Sequence, residues 1–142
     1  MPENFQISLE TDERNPAVRA VLDGLVEFNT AVVGYDDYTP LHLVVRDEAG
    51  TVIGGLLADT YWKWMAIGIF WLRDDLRGQG LGSRLLKMAE DEAIKRGCKH
   101  AHLDTLSFQA LDFYKKHGYT IFGQLDDLPE GHTRYYLRKT LI

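Results

Sequence analysis

Apolar residues recur along this chain with two different periods, and the changes of period mark its elements. Residues 64–72, Trp-Met-Ala-Ile-Gly-Ile-Phe-Trp-Leu, form an unbroken apolar run. Such a run predicts a central strand buried on both faces. Beyond it, Leu81, Leu85, Leu86, Ala89 and Ala93 repeat at helical spacing, with Gly97 placed for a C-terminal cap. An earlier helix is predicted from Asn15, a capping residue, with Pro16 at the first helical position. Val18, Val21, Leu22, Leu25 and Phe28 make its apolar stripe, expected to be buried.

Shorter patterns fill the remainder. Residues 5–9 read as a first strand, and residues 41–45 and 51–59 as a hairpin turned by Asp47-Glu48-Ala49-Gly50. Residues 99–105 read as a strand leading to a short helix, in which Ala110, Phe113, Tyr114 and His117 share one face and Gly118 ends it. Residues 119–123 and 133–139 close the chain as strands. The two strands flanking the long helix are predicted parallel, joined by a right-handed crossover, and the others largely antiparallel.

Composition bounds this picture without changing it. A chain of 142 residues fits one domain, 1–142, large enough for a proper core. Its 45% apolar and 26% charged residues are ordinary for a globular protein. The single cysteine, Cys98, excludes an internal disulfide and, entering a strand after Gly97, reads as buried filler. The first residues lack a basic segment followed by an apolar one, and the longest apolar run is nine residues. Neither a secretory signal nor a membrane span is expected, and a cytoplasmic location is.

The stretch between the central strand and the long helix carries the chemistry. Arg77-Gly78-Gln79-Gly80-Leu81-Gly82-Ser83 turns a strand into a helix through glycines. That geometry aims successive backbone N–H groups, and the positive end of the helix dipole, at one point suited to a phosphate or pyrophosphate. No Lys-Ser/Thr pair follows the glycines, which excludes the nucleotide-hydrolase loop. A dinucleotide fingerprint would need glycine where Ser83 stands. Arg77, Gly80 and Gly82 instead meet the pattern Arg-x-x-Gly-x-Gly. This resembles the acetyl-CoA signature of the GCN5-related N-acetyltransferases (GNAT). Ala110, Phe113-Tyr114 and Gly118-Tyr119, about thirty residues on, resemble a second segment of that family.

The resemblance implies an α+β fold, a three-layer α/β/α sandwich with a mixed, largely antiparallel sheet and a parallel pair at the cofactor site. It implies an acetyl-CoA-dependent N-acetyltransferase that uses no metal. The cofactor would meet Phe70, Trp71 and Leu72 at the strand end, Arg77, Gly78, Gln79, Gly80, Leu81, Gly82 and Ser83 in the turn, and Gln109 and Phe113 beyond. The amide near Leu72 would help polarise the acetyl carbonyl, and Tyr114 would face the thioester sulfur as the catalytic donor to the leaving thiolate. A non-catalytic acyl-CoA sensor, or an enzyme using another acceptor or acyl donor, is the alternative.

One position departs from the family. Many members carry a glutamate on the central strand where this chain has Gly68, and no carboxylate lies between Asp59 and Asp74. An alkylamine with a pKa near 10.4 is neutral in only about one molecule in 2,500 at pH 7, so its proton must go somewhere. Asp36, Asp37, Asp104 and His132 are candidates, as is a water chain ending on one of them. The other histidines, His42, His100, His102 and His117, show no metal-ligand spacing on one element.

Charge then constrains the partners. The formal net charge is −5, yet Arg73, Arg77, Arg84 and Lys87 outnumber Asp74 and Asp75 around the glycine turn. An anionic cofactor can land there while the acidic remainder favours a cationic, small-molecule amine acceptor. No basic stripe invites nucleic acid. Aromatic and acidic residues at Asp36, Asp37, Tyr38 and Trp62 are candidate acceptor contacts, since such groups suit an ammonium. A homodimer is left open.

Overall fold

The structure, a computed structural model, describes residues 4–142. Its contacts divide it into two units, one ending at Asp36 and the other spanning Asp37–Ile142.

The first unit holds one helix, α1 (Pro16–Val33). Asn15 Oδ1 accepts from Ala17 N at 2.9 Å, Pro16 opens the helix, and Gly34 closes it at φ 98°. Both caps are where the sequence places them. Residues 5–9 are a correction: they form no strand, and Ile7 and Leu9 are exposed. The expected burial of the α1 stripe is a second correction, for no residue of α1 is buried. A single helix has nothing in its own unit to cover an apolar face.

The second unit is built on six strands: β1 (Thr39–Arg46), β2 (Val52–Tyr61), β3 (Trp64–Leu72), β4 (His100–Leu106), β5 (Thr120–Asp126) and β6 (Thr133–Thr140). They form one open sheet in the order β1-β2-β3-β4-β6-β5. All pairs are antiparallel except β3–β4. The crossover between these two is α2 (Leu81–Lys95), and α3 (Leu111–Lys116) follows β4. Leu85, Leu86, Ala89 and Ala93 of α2 are buried, as their spacing predicts, and Leu86, Ala89 and Ala93 join Leu56, Met65, Ala101, Leu103 and Leu137 in the core. Lys139 Nζ lies 2.9 and 3.0 Å from the Glu90 carboxylate, which also accepts from the Tyr119 hydroxyl at 2.8 Å. This mostly buried cluster fastens α2 to β6, and deleting one member would strand the other charge.

Two local features shape the sheet where it matters. Leu57 pairs with Ile69 but Ala58 with Ile67, so Gly68 is an extra residue, a β-bulge in β3. β3 and β4 pair only from Trp64/His100 to Ile67/Leu103 and then part, although β3 runs on along β2 to Leu72 and β4 along β6 to Leu106. The expectation that β3 is buried on both faces therefore needs correction. Met65 and Ile67 are buried, whereas Gly68, Ile69 and Trp71, beyond the bulge and the parting, are exposed.

Candidate active site

The parting of β3 from β4 leaves a wedge in the middle of the sheet. Past Ile67, the β3 edge that faces β4 has backbone groups with no ladder partner on that side. Gly54 allows β2 to lie against the end of this strand. A Cβ there would come within 2.9 Å of Trp71 O and 3.2 Å of Leu72 Cα.

A single 3₁₀ turn, Asp74–Leu76, carries the chain from β3 to the glycines. Gly78 and Gly80 sit at φ 76° and 81°, in the left-handed region that favours glycine. Arg77 N donates to Asp74 O and Arg84 N to Gly80 O. Among the described residues, no backbone oxygen accepts from the amides of residues 78–83 that lie between them. α2 has no side-chain cap and no acidic residue in its first turn. A row of uncommitted donors at the positive end of a 15-residue helix fits a diphosphate.

Side-chain charge contributes less than the sequence count implied. Arg73 pairs with Asp75, Arg77 with Asp74 and Lys87 with Asp91. Arg77 Nε also donates to Leu72 O at 3.2 Å, folding the side chain back on the end of β3. Arg84 is the one cation of the four without an ion pair among the described residues. What positive character this turn offers is thus mainly that of its backbone amides.

α3 closes the wedge from the core side. Gly82 is in contact range of Phe113, whose ring atoms would stand 3.5 Å from an added Cβ. Phe70 of β3 meets the Phe113 ring at 5.9 Å and the Tyr114 ring at 6.4 Å, both edge-on. Tyr114 is 6% exposed, and its hydroxyl has no hydrogen-bond partner among the described residues. Burial, with a smaller push from the negative charge of Asp104, raises its pKa to about 12. A buried phenol that stays protonated and has its donor unspent is suited to meet charge developing on a ligand.

Asp104 stands on β4 just past the last β3–β4 pair, at the mouth of the wedge. Arg134 Nε lies 3.1 Å from its Oδ1 yet is a buried nitrogen without a well-directed hydrogen bond, so the contact is ionic only. His132 is exposed, with its ring 4.7 Å from that of Phe108. The loop that carries it is stitched to the end of β4, since Ser107 N donates to Thr133 O and Thr133 N to Ser107 Oγ. Asp104, His132 and Tyr114 therefore gather at one end of the sheet.

Other expected site residues go elsewhere. Asp37 accepts from Trp62 N at 2.9 Å, and Tyr38 donates to Asp59 at 2.7 Å, at the turn where β2 enters β3. β3 has nine residues, so that turn lies roughly 26 Å from Leu72. Asp36 ends the other unit. Gln109 folds its side chain onto the end of β4, accepting from Leu106 N at 2.8 Å. Sequence reasoning missed Arg134 and the pairing of Ser83 with His117. Alternation along β6 was the available signal for the first; the second joins two helices 34 residues apart and had none.

Comparison with known proteins fits this geometry. Residues 9–119 match the Acetyltransferase (GNAT) family. An acetyltransferase of Agrobacterium fabrum is 37% identical over 96% of this chain and 98% of its own length. Blasticidin-S acetyltransferase of Streptomyces morookaense is 35% identical over 92% of each chain. The crystal structure of an acetyltransferase from Agrobacterium tumefaciens superposes with a TM-score of 0.88 at 36% identity, covering 96% of this chain and 98% of that one.

Proposed function

Because the chain belongs to the acetyltransferase (GNAT) family, we propose that it transfers the acetyl group of acetyl-CoA directly to a primary amine of a small acceptor. The observation that carries this reading is the hydroxyl of the buried Tyr114, without a hydrogen-bond partner among the described residues, beside a wedge that opens onto the uncommitted amides of residues 78–83.

When bound, acetyl-CoA supplies an activated carbonyl and a thiolate leaving group. The amides of residues 78–83 hold its diphosphate, and the unpaired edge of β3 up to Leu72 aligns its extended arm. A backbone donor near Leu72 polarises the carbonyl, an effect typically worth about 10²–10³ in rate. Tyr114 donates a hydrogen bond to sulfur as charge builds. With its pKa about 12 against roughly 8.5 for a thiol, full proton transfer is uphill by about 5 kcal/mol. The hydroxyl stabilises the leaving group without surrendering its proton.

The acceptor is a cationic amine that loses its proton before attack. A Cβ at Gly68 would meet only Leu57 O, at 3.6 Å, so the bulge has room for a side chain but supplies no carboxylate. Water at the mouth of the wedge, relayed to Asp104 or His132, takes the proton. Thiol release with acetyl-CoA across an amine panel tests the reading. Release with some amine is expected; cofactor binding without release from any amine would make the protein a sensor instead.

A further inference from the structure

The second unit carries a surface depression that this chemistry does not use. It is shallow and open to solvent, of about 300 Å³, and is lined by Trp64, His102, Phe122 and Arg138, from four different strands. Each wall is placed by a specific device. Ile121 pairs with Leu137 and Gly123 with Tyr136, so Phe122 is an extra residue whose side chain a bulge re-aims. The Arg138 guanidinium lies 5.6 Å over the Phe122 ring. Trp64 packs against His100 at 4.6 Å and His102 at 5.6 Å.

The charge of this cavity runs against that of the chain. With 21 acidic residues and a net charge of −5, the protein places no carboxylate in the lining. Among the described residues Arg138 has no ion pair and His102 no hydrogen bond. A guanidinium resting on an aromatic ring keeps its N–H edge available to a carboxylate, and an indole offers a planar group a stacking surface. His102 pairs with Arg138 and Asp104 with Tyr136 in the same β4–β6 ladder. Of its walls, His102 and Arg138 therefore lie two β4 residues, roughly 7 Å, from Asp104 at the mouth of the wedge, and Trp64, which pairs with His100, stands two residues farther back.

Building on the acetyl-transfer reading, we propose that this cavity receives the non-reacting end of the acceptor, and that this end is a planar carboxylate. The acceptor is thus amphoteric, with its amine at Asp104 and Tyr114 and an aromatic or conjugated acid about 7–10 Å away, held between Trp64 and Arg138.

Two measurements test it. In the first, the Trp64 indole N–H, assigned with Trp64→Phe, is followed by NMR while benzoate or benzamide is added. Benzoate is expected to bind at least tenfold more tightly than benzamide, to weaken tenfold or more in Arg138→Ala, and to recover partly in Arg138→Lys. No binding, or binding indifferent to Arg138, overturns the pocket. In the second, thiol release is compared for 4-(aminomethyl)benzoate and benzylamine. The expected ratio of kcat/KM is at least ten in favour of the acid, collapsing toward one in Arg138→Ala. A wild-type ratio near one overturns the acceptor role. Release from no amine at all overturns acetyl transfer and the acceptor role with it, while the benzoate titration still decides whether the anion pocket exists.

Discussion

Ser83 Oγ and His117 Nε2 stand 2.9 Å apart, so the first turn of α2 is tied to the end of α3. The Phe113 ring, 4.7 Å from that of His117, lies against Gly82 in the same seam. One joint thus positions both the free amides of the glycine turn and the helix that carries Tyr114.

That seam sets the first prediction. A single added Cβ at Gly82 makes ordinary contacts with Phe113 and Leu72, at 3.5 and 3.7 Å. The branched carbons of Gly82→Val have no such room and obstruct the amide row. Calorimetry on the folded variant should show coenzyme A affinity reduced tenfold or more; unchanged affinity would remove residues 78–83 from the cofactor site.

Tyr114→Phe keeps the ring contacts with Phe70 and Phe113 and deletes only the donor. The hydroxyl has no partner among the described residues to orphan, so the melting temperature should barely move. Turnover with a confirmed acceptor should fall by roughly 10–10³, with little change in cofactor affinity, because the bond strengthens only as charge reaches sulfur. Wild-type turnover in this variant would deny the hydroxyl its role.

Alkaline stability should report the same burial. The folded pKa of Tyr114, about 12, lies above the ordinary value of about 10, so folding favours the protonated form. Its contribution is intact below pH 10 and is lost as pH rises toward 12, about 3 kcal/mol in all. Tyr119, raised by burial and by Glu90, acts in the same direction. Urea midpoints measured from pH 9 to 12 should decline in the wild type and decline less in Tyr114→Phe. Parallel declines would contradict the assignment.

The fate of the acceptor proton is read from a pH–rate profile. If water carries it away, log kcat/KM rises with a slope near one from about pH 6 until the acceptor's own pKa is approached. Two amines whose pKa values differ by at least a unit should then give limbs displaced by that difference. A limb fixed near 6–7 for both amines, and erased in His132→Ala, would make His132 the base.

Much of the fold was legible because its signals are local. The apolar run 64–72 became β3 with those bounds, Gly97 took its left-handed place after α2, and the strands flanking α2 are parallel. What the sequence hid depends on partners far along the chain. Gly68 is a bulge only by comparison with β2, and the exposure of Ile69 and Trp71 follows from where β4 leaves β3. Residues 5–9 carry strand-forming side chains but have no strand partner. In the candidate site, the glycine turn could be found from its strand-turn-helix setting, and Tyr114 only through the resemblance of its segment to the family's. Trp62 could be placed at the turn into β3, where it lies, but nothing local says that Asp37 and Tyr38 meet it there. The cavity at Trp64 and Arg138 depends on β6 being inserted between β4 and β5, a topological fact no local pattern records.

The early parting of β3 and β4 gives the sheet an edge in its interior rather than at its rim. Rim edges invite other polypeptide strands, which is how sheets aggregate. This one is flanked on both sides by strands of its own sheet and narrows to nothing at Ile67. A strand with side chains cannot slide into a taper, but a slender unbranched chain with amide groups can. The fold can thus leave hydrogen-bonding capacity open at its centre while the shape of the opening keeps out other proteins.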